Sequence, residues 1–575
     1  ADRADLVEEG EHVLLRRTIA ARPAADVILT DLARALAAFP WPKSMRWGQS
    51  GGFTWVRPLR RIVCLLDGAV VPIALGPVVA SDLSEGHRFL APGTFHVTSK
   101  DQWETELASR YVAADAVVRR AIIEKGLRSE ATKRGLVIVT HDDLLDEICG
   151  LVECPVPLIG RIEHRFMALP PEVRELSMRV NQRFFSTRDA AGYPAPYFAF
   201  VANIEASDGG AVIIAGNERV LRARLADAEH FWTLDRRHPL ASYLPKLKAV
   251  IFHAKLGTQF ERAERIEKVA SEIARRLGAS LEESEQAARA GLLCKADLVT
   301  GMVAEFPELQ GVMGSYYADD AVVGAAIRTH YQPKGPMDDV PLGTVACAVA
   351  LADKIDTLQQ FFRIGEKPTG SGDPFALRRA ALGVNRIILE NKLHLNLFSL
   401  LGKDVFDFLV ERLRVKLRAE GKRFDVLNAV LSTAADDDLF RIQQRVDALG
   451  DFIVTDDGAN LLVAYRRSVN ILQIEEAKDG PHEGNVSDAL LNQTVDLNLH
   501  LTTTRIEMMI ESDLAKEDFT AAMIHLAVLR PPVDEFFNSA TVNAEDPVLR
   551  RNRLRLLAKL RDVMHRVADF SKLEG

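Results

Sequence analysis

Four side chains in the middle of the chain are of types that take part in metal and phosphate chemistry. Cys294 and Lys295 end one apolar segment, His330 lies in AAIRTHYQP, and Asp353 lies in TVACAVALADKIDTL. Imidazole and carboxylate groups bind divalent metals, and a metal-bound water attacks phosphate esters at neutral pH. A protonated lysine donates hydrogen bonds but offers no lone pair to a metal. The residue types therefore indicate an incomplete set of metal ligands.

Helices must position these four side chains. Apolar residues between 253 and 358 recur at intervals of three and four, which is the period of packed amphipathic helices. The residues that set this period are Ile266, Val269 and Ile273, then Leu292, Ala296 and Val299, then Val345, Val349, Ala352 and Ile355. The pattern predicts an all-helical bundle over about residues 246–385, in which the four side chains can converge.

The order of these helices resembles the HD phosphohydrolase superfamily, in which histidines and aspartates from separate helices hold a metal. A working member would read roughly LLHD where this chain has Leu292, Leu293, Cys294 and Lys295, and Arg265 stands near the place of the first histidine. His330 and Asp353 stand at later HD-like positions, but two ligands do not make a catalytic site. One interpretation is a metal-dependent phosphohydrolase with RNA-binding appendages. The other is a bundle kept for packing or for holding RNA.

Length and charge limit the possible classes of protein. A chain of 575 residues exceeds what one hydrophobic core usually organises, so we expect several domains. Hydrophobic residues make up 47% and charged residues 26%, as in ordinary globular proteins. The net charge of −8 excludes a basic nucleic-acid coat, so any RNA contact must come from local basic stripes.

The cysteines and the apolar runs indicate a cytoplasmic protein. No CxxC pair occurs among the five cysteines, so we expect free thiols in a reducing compartment. No apolar run approaches the roughly 20 residues that cross a bilayer, and no signal peptide is recognisable. The sequence starts without methionine in a strand-forming passage, from which we expect an amino-terminal segment to be missing.

The first 245 residues mix strands with helices. EHVLLRRTIA and PYFAFVANIEA read as strands, Asp67-Gly68 reads as a hairpin turn, and AVIIAGNERVLRARLADAEHFW reads as a helix that carries Arg222 and Arg224. These two arginines could face RNA or form surface ion pairs. GHRFLAPG (86–93) predicts a turn with a polar tip. Two mixed α/β units, 1–140 and 141–245, follow from this pattern.

The second half of the chain reads as nearly all helix. Asp546-Pro547 is typical of a helix start, and the helix that follows buries a stripe of Leu549, Leu556, Leu560, Val563 and Val567. Another face carries Arg551, Arg555, Lys559 and Arg566, interrupted by Asp562. This basic stripe could follow an RNA backbone or be the solvated face of an ordinary amphipathic helix.

Taken together, several segments in order resemble the β subunit of the bacterial two-subunit glycyl-tRNA synthetase. They cover nearly the whole chain and include VRPLRRIVCLLDG, GHRFLAPG, LPPEVRELSM, LPKLKAVIFHAKLGT, KADLVTGMVAEFPELQGVMG and KPTGSGDPFALRRAALG. The resemblance implies an α2β2 tetramer in which the α subunit activates glycine with ATP and Mg²⁺, and this chain recognises tRNA(Gly). It also implies no cofactor, metal or catalytic residue on this chain, and neither a membrane nor DNA as a partner.

The resemblance implies a multidomain, predominantly α fold. It would comprise the two mixed α/β units, the degenerate HD-like bundle at 246–385, a helical body at 386–455 and a helical anticodon-binding-type domain at 456–575. From it we expect tRNA to be bound by a set of basic residues: Arg551, Arg555, Lys559, Arg466, Arg467, Arg222 and Arg224. A plain RNA-binding scaffold without a synthetase partner is a third interpretation.

Overall fold

The computed structural model describes residues 6–9, 12–15, 21–47, 53–370, 372–432 and 436–574. The chain forms two compact units, residues 1–230 and 231–575. It is predominantly α-helical with a mixed α/β amino-terminal half, as predicted. The finer division into five domains stays a prediction. No helix among the described residues is both long and apolar enough to span a bilayer.

Short strands and a few helices make up the first unit. Its strands are β1 (Leu6–Glu9), β2 (His12–Leu15), β3 (Met45–Trp47), β4 (Phe53–Trp55), β5 (Leu65–Leu66), β6 (Ala69–Val70), β7 (Ala74–Leu75), β8 (Val78–Val79), β9 (Leu83–Glu85), β10 (Thr94–His96), β11 (Leu136–Ile138), β12 (Val156–Arg161), β13 (Phe185–Asp189) and β14 (Pro194–Ala202). Its helices are α1 (Ala24–Val27), α2 (Ala33–Ala37), α3 (Lys100–Ser109), α4 (Ala116–Thr132), α5 (Asp142–Cys149), α6 (Pro171–Leu176) and α7 (Ala211–Asp235), the last of which crosses the boundary at residue 230.

An antiparallel sheet in the order β11-β13-β14-β12 forms the centre of the first unit. Helices α4 and α5 supply Ile123, Leu127 and Leu145, which pack on the sheet residues Phe185 and Ala199. Because successive side chains of a strand point to opposite faces of the sheet, one face of the sheet can cover this core.

Two local predictions in the first unit can be compared with the structure. Asp67 and Gly68 have φ angles of 51° and 82° and join β5 to β6, as expected for a two-residue hairpin.

The tip of GHRFLAPG differs from the prediction, because His87 is buried. Its Nε2 lies 2.7 Å from the Asn203 carbonyl, and its Nδ1 accepts hydrogen bonds from the amides of Phe89 and Leu90. His87 therefore holds the loop against the unit and does not face solvent.

The second unit is almost entirely helical. After the short hairpin of β15 (Ile251–His253) and β16 (Gly257–Thr258), its helices are α8 (Gln259–Arg276), α9 (Leu281–Leu293), α10 (Gly301–Glu305), α11 (Val312–Tyr317), α12 (Ala321–Thr329), α13 (Thr344–Arg363), α14 (Leu377–Glu390), α15 (Phe398–Leu401), α16 (Lys403–Ala419), α17 (Phe424–Leu431), α18 (Leu439–Ile453), α19 (Asp456–Asp479), α20 (Thr494–Ala515), α21 (Phe519–Ala527), α22 (Arg530–Ser539) and α23 (Pro547–His565). One hydrophobic core runs through them from Leu240 to Leu573.

Helix α13 lies at the centre of the amino-terminal part of this unit. Every residue from Val345 to Asp356 is buried, and α13 contacts α8, α9, α12, α14 and α16. A helix that is apolar on all sides must be surrounded by other elements. Asp353, Lys354 and Asp356 are charged, so α13 also carries charge into the core.

Helix α23 begins where the sequence predicts, because the Asp546 side chain accepts a hydrogen bond from the Val548 amide and Pro547 occupies the first turn. Arg553, on the same helix, is buried against Asp496 of α20. Its Nε and Nη2 atoms lie 3.1 and 2.9 Å from the two carboxylate oxygens. This bidentate pair joins two helices whose contact the sequence pattern does not reveal.

Replacing Asp496 with alanine leaves the buried Arg553 guanidinium without its carboxylate. We expect the free energy of unfolding to fall by about 3–5 kcal/mol, because breaking a buried ion pair leaves an uncompensated charge. Thermal and urea denaturation followed by circular dichroism measures the change. Asp562→Ala is the control: its side chain is 64% exposed on α23, and the variant should stay within about 0.5 kcal/mol of the parent. Equal effects of both substitutions would contradict the expectation.

Candidate nucleic-acid interface and HD-like centre

Three helices bring the HD-like positions together. Lys295 follows α9, which begins at a capping box formed by Ser280 and Glu283. His330 follows α12, and Asp353 lies in the middle of α13. All three side chains are buried, and their contacts with one another define the HD-like centre.

The ammonium group of Lys295 fills the middle of the HD-like centre. Its Nζ lies 2.8 Å from Asp353 Oδ1, 2.9 Å from His330 Nε2 and 3.8 Å from the centroid of the Tyr331 ring. A carboxylate, an imidazole lone pair and an aromatic face are all partners that stabilise a cation. Lys295 is completely buried. The protein therefore holds a covalently attached cation between the two HD-like side chains.

His330 is a neutral acceptor at this site. Its Nδ1 lies 2.5 Å from the Ile327 carbonyl and so carries the proton, which leaves Nε2 free to accept a hydrogen bond from Lys295. Burial, and next to it the positive charge of Lys295, lower the pKa of His330 well below its ordinary value. An imidazole in this state stabilises the ammonium group and does not compete with it.

Asp353 supplies the negative charge of the centre. Burial works to raise its pKa, but Lys295 and Arg262 outweigh that effect, and the pKa of Asp353 is lowered. Arg262 Nη2 donates to Asp353 Oδ1 over 2.9 Å. Burial likewise works to lower the pKa of Lys295, but Asp353 raises it. Both groups are therefore charged at neutral pH.

A second row of charged residues surrounds this pair. The sequence analysis placed Arg265 near the first HD position but did not predict its pairing with Asp356, nor the role of Lys354. Arg265 Nε donates to Asp356 Oδ1 over 2.6 Å. Lys354 Nζ donates to the carbonyls of His330 and Gln332 over 3.3 and 2.6 Å. The sequence does carry a signal for these ion pairs. Two arginines lie three residues apart on α8, and two aspartates lie three residues apart on α13, so both pairs can face each other between the two helices.

Cys294 does not face the ammonium group as a reactive thiolate. Its Sγ donates to the Gly291 carbonyl over 3.1 Å, and burial raises the pKa of Cys294 to about 12.

Lys295 occupies the space between His330 and Asp353 in which these two side chains would have to meet a metal. The described part of the chain contains no group of three His, Cys, Asp or Glu residues arranged for a metal ion. The arrangement gives the phosphohydrolase interpretation no support.

The predicted basic stripe of α23 lies beside a polar groove, which we call the C-terminal groove. The groove has a volume of about 820 Å³. The residues that line it are Glu476, Pro481, His482, Glu483, Gly484, Asn485, Val486, Asp488, His500, Glu507, Arg555, Ala558, Lys559, Arg561, Asp562, Val563 and Arg566. Three members of the predicted stripe thus line one groove: Arg555 and Lys559 on successive turns of α23, and Arg566 directly after the helix.

Most cations in the groove are paired with carboxylates, whereas Arg555 has no carboxylate partner among the residues that the structure describes. Arg561 lies 3.1 Å from Glu476, and Arg566 lies 2.6 Å from Glu507. Arg555 donates to two backbone carbonyls, those of Glu483 and Asn485, over 3.1 and 3.5 Å. A carbonyl leaves the positive charge of a guanidinium uncompensated.

Lys559 and Arg551, the other two members of the stripe, differ in whether their charges are paired. Lys559 donates to the Thr504 hydroxyl over 2.7 Å and lies 3.5 Å from Glu507. Arg551 is exposed, and within the described ranges no hydrogen bond or ion pair holds it. Arg551 and Arg555 therefore carry the unpaired positive charge of α23.

The remaining predicted contacts lie elsewhere. Arg466 donates to the Leu573 carbonyl over 2.5 Å, and Arg467 stacks 4.4 Å from the centroid of the Phe537 ring. In the first unit, exposed Arg222 is paired with Glu163, and Arg224 is half-buried. The structure does not include Arg466 or Arg467 in the lining of the C-terminal groove.

Comparison with known proteins identifies the family. Residues 1–432 match the family model described as glycyl-tRNA synthetase beta subunit. A glycine–tRNA ligase beta subunit of Phenylobacterium zucineum strain HLK1 is 50% identical over 560 residues, covering 96% of this chain and 83% of the relative. The corresponding proteins of Rhodospirillum centenum and Paracoccus denitrificans are 47% and 45% identical, covering 94% and 96% of this chain and 82% and 83% of the relatives. The chain therefore belongs to the glycyl-tRNA synthetase beta subunit family.

Replacing Lys295 with methionine should destabilise the helices around α13. The variant keeps the volume of the side chain but leaves Asp353 with one arginine, so we expect a loss of about 3 kcal/mol in the free energy of unfolding at pH 7. Urea denaturation followed by circular dichroism measures it. Lys403→Met, at an exposed lysine on α16, is the control and should change stability little. A Lys295→Met variant as stable as the parent would show that the buried cation is not needed.

The same variant should change the response to acid. In the parent, the lowered pKa of Asp353 contributes stability that is fully present above the ordinary aspartate pKa of 3.8 and is lost as pH falls through the lowered value. Removing Lys295 raises the pKa of Asp353 toward the unfolded value, so the variant should lose less stability than the parent as pH falls below 3.8, and the difference in stability between the two proteins should shrink. Melting temperatures recorded between about pH 2 and 7 test this convergence, and parallel curves for parent and variant would contradict it.

Proposed function

We propose that this chain is the tRNA-recognising, non-catalytic subunit of a cytoplasmic glycine–tRNA ligase. It assembles with an α subunit as α2β2, and ATP and Mg²⁺ bind at the active site of α. The observation that carries the proposal is the near full-length identity, up to 50% over 560 residues, to proteins named glycine–tRNA ligase beta subunit. In this proposal the chain binds and positions tRNA(Gly) while α forms the glycyl ester.

The HD-like centre has a structural part in this function. With Lys295 Nζ 2.8 Å from Asp353, the space of a hydrolytic metal is filled by the protein's own cation. A buried, fully paired ion pair favours one arrangement of the helices that contribute to it. The bundle therefore acts as a rigid support for RNA-contacting surfaces.

Helix α23 is the proposed contact with the anticodon arm. Phosphate groups are attracted to cations that carboxylates do not neutralise, and Arg551 and Arg555 have that property within the described ranges. Lys559 lies on the next turn, where Glu507 at 3.5 Å offsets its charge, so we expect a smaller contribution from it. Arg466 and Arg467 extend this contact, whereas Arg222 and Arg224 of the first unit face the acceptor side.

Glycylation in a reconstituted system tests the subunit assignment. Bacterial tRNA, glycine, ATP and Mg²⁺ are incubated with this chain alone, with a matching α subunit alone, and with both, and acid-precipitable glycine is counted. We expect charging only in the mixture, because the two subunits supply different parts of the reaction. Charging by this chain alone would overturn its non-catalytic role. If neither the mixture nor one made with an amino-terminally extended chain charges tRNA, the proposal falls.

Neutralising the α23 stripe tests the RNA contact. We expect Arg551→Ala, Arg555→Ala and Lys559→Ala together to weaken tRNA binding about tenfold or more and to reduce the slope of log affinity against log salt by about 2, because Lys559 is already paired with Glu507. Alanine is preferable to glutamate, because a glutamate at 559 would be repelled by Glu507, which lies 3.5 Å from Lys559. Filter binding at several salt concentrations measures both quantities.

A matched control separates a local contact from the loss of net charge. Arg505, Lys516 and Lys572 are exposed cations of the same half of the chain and lie outside α23. Changing these three to alanine removes the same charge and should leave the salt slope within about 0.5 of the parent. If both triple variants behave alike, α23 is not the contact.

A further inference from the structure

A second cavity lies in the helical unit, between α14, α16 and the turn at residues 333–336. We call it the α14–α16 cavity; its volume is about 550 Å³, which is within the usual range for small-molecule sites. It is lined by Pro333, Lys334, Gly335, Pro336, Arg379, Leu382, Gly383, Arg386, Glu390, Val415, Lys416, Ala419 and Glu420. Neither the HD-like centre nor the C-terminal groove shares a lining residue with it.

One face of α14 forms a wall of this cavity. Arg379, Leu382, Gly383, Arg386 and Glu390 follow one another at intervals of three, one, three and four residues, so their side chains share one side of the helix. The last turns of α16 face them with hydrocarbon from Val415 and Ala419. The cavity therefore has an apolar floor between two helices.

The turn that forms the third wall is held rigidly. Arg386 donates to the carbonyls of Gly335 and Asp338 over 3.0 and 2.7 Å. Lys354 donates to the Gln332 carbonyl over 2.6 Å, and the Asp338 carboxylate accepts from the amides of Lys334 and Gly335. A wall already fixed before binding lowers the entropy cost of holding a ligand.

Gly383 is needed where α14 passes Lys354. A Cβ atom at this position would lie 2.7 Å from Lys354 Cε, so glycine allows the lysine stem to run behind the cavity wall. The same lysine contacts the His330 carbonyl next to the HD-like centre. The wall of the cavity is thus continuous with the buried charges around α13.

The charges that line the cavity are unbalanced. Four cations and two carboxylates line it, a net charge of +2. Arg386 is paired with Glu390 at 2.6 Å, and Lys416 with Glu420 at 2.5 Å. Lys334 and Arg379 are exposed, and no carboxylate in the described part of the chain pairs with either. The excess charge is therefore located at these two side chains.

We propose that the α14–α16 cavity binds a nucleotide, with its phosphate at Lys334 and Arg379 and its base on the floor formed by Leu382, Val415 and Ala419. Two cations complement a phosphate, which carries up to two negative charges at pH 7. The flat face of a base is apolar and packs on hydrocarbon. A small dicarboxylate would also satisfy the two cations, but it would leave the apolar floor exposed to water. The nucleotide is either free or an unpaired residue of bound RNA; the second case rests on the function proposed above.

Binding of a fluorescent nucleotide tests the proposal on the full chain. Mant-AMP is titrated and followed by anisotropy, with AMP and inorganic phosphate as competitors. We expect Arg379→Ala and Lys334→Ala each to weaken binding about tenfold, the loss of one charged hydrogen bond. Ala419→Trp, at an exposed position on α16, should abolish binding by filling the floor. Lys403→Ala, on the same helix but outside the cavity, is the control and should bind as the parent does.

The two sources of nucleotide are distinguished with tRNA. If an unpaired residue of RNA enters the cavity, tRNA displaces mant-AMP, and Ala419→Trp weakens tRNA binding about tenfold by excluding one base from the apolar floor. If the ligand is free, tRNA leaves the bound mant-AMP in place. This second result is independent of whether α23 binds tRNA, so failure of the proposed function would be seen separately. If neither mant-AMP nor tRNA responds to Arg379→Ala and Ala419→Trp, the cavity is not a nucleotide site.

Discussion

The buried pair of Lys295 and Asp353 is the interaction on which the helical unit depends. Removing two charges from water costs several kcal/mol for each ion, so the pair is tolerable only when further partners complete it. His330, Tyr331 and Arg262 are those partners. The pair and its partners come from α8, the residue pair after α9, the segment after α12, and α13, so satisfying one ion pair fixes how these elements pack. The helices cannot shift independently without exposing an unpaired charge to the core.

The same physical rule sorts the cations of α23 into two classes. Arg553 is buried and forms a bidentate ion pair with Asp496, so its charge is neutralised inside the protein and is not available to a ligand. Arg551 and Arg555 have no carboxylate within the described ranges and keep their charge available to a ligand. Arginine count alone therefore overstates the basic surface of this helix. Only the cations that the fold leaves unpaired contribute to an RNA-binding potential.

In the proposed nucleotide site between α14 and α16, the HD-like bundle would have a binding role without hydrolysis. Lys354 follows Asp353 on α13 and reaches the wall of that cavity through the gap at Gly383. The turn that carries Lys334 is thereby attached to the buried charges of the centre. A fully satisfied polar network is rigid, and rigidity is what a recognition surface needs from its support.

The sequence alone determined the features that depend on near neighbours. The period of three and four predicted the helices around Ile266 and Val349, Asp67-Gly68 predicted a hairpin, and Asp546-Pro547 predicted the start of α23. Ordered segments of the whole chain also revealed the family. Each of these signals lies within a few residues or is repeated along the chain, so no tertiary contact is needed to recognise it.

Only the tertiary structure decided which charges are paired. Lys295 and Asp353 are 58 positions apart, and Arg553 and Asp496 are 57 apart, so nothing local distinguishes them from solvated side chains. His87 was expected at an exposed tip, but a carbonyl 116 positions away holds it in the core. Burial converts such a distant partner from a minor surface contact into a requirement of the fold, because an unpaired polar group costs far more free energy in the core than in water.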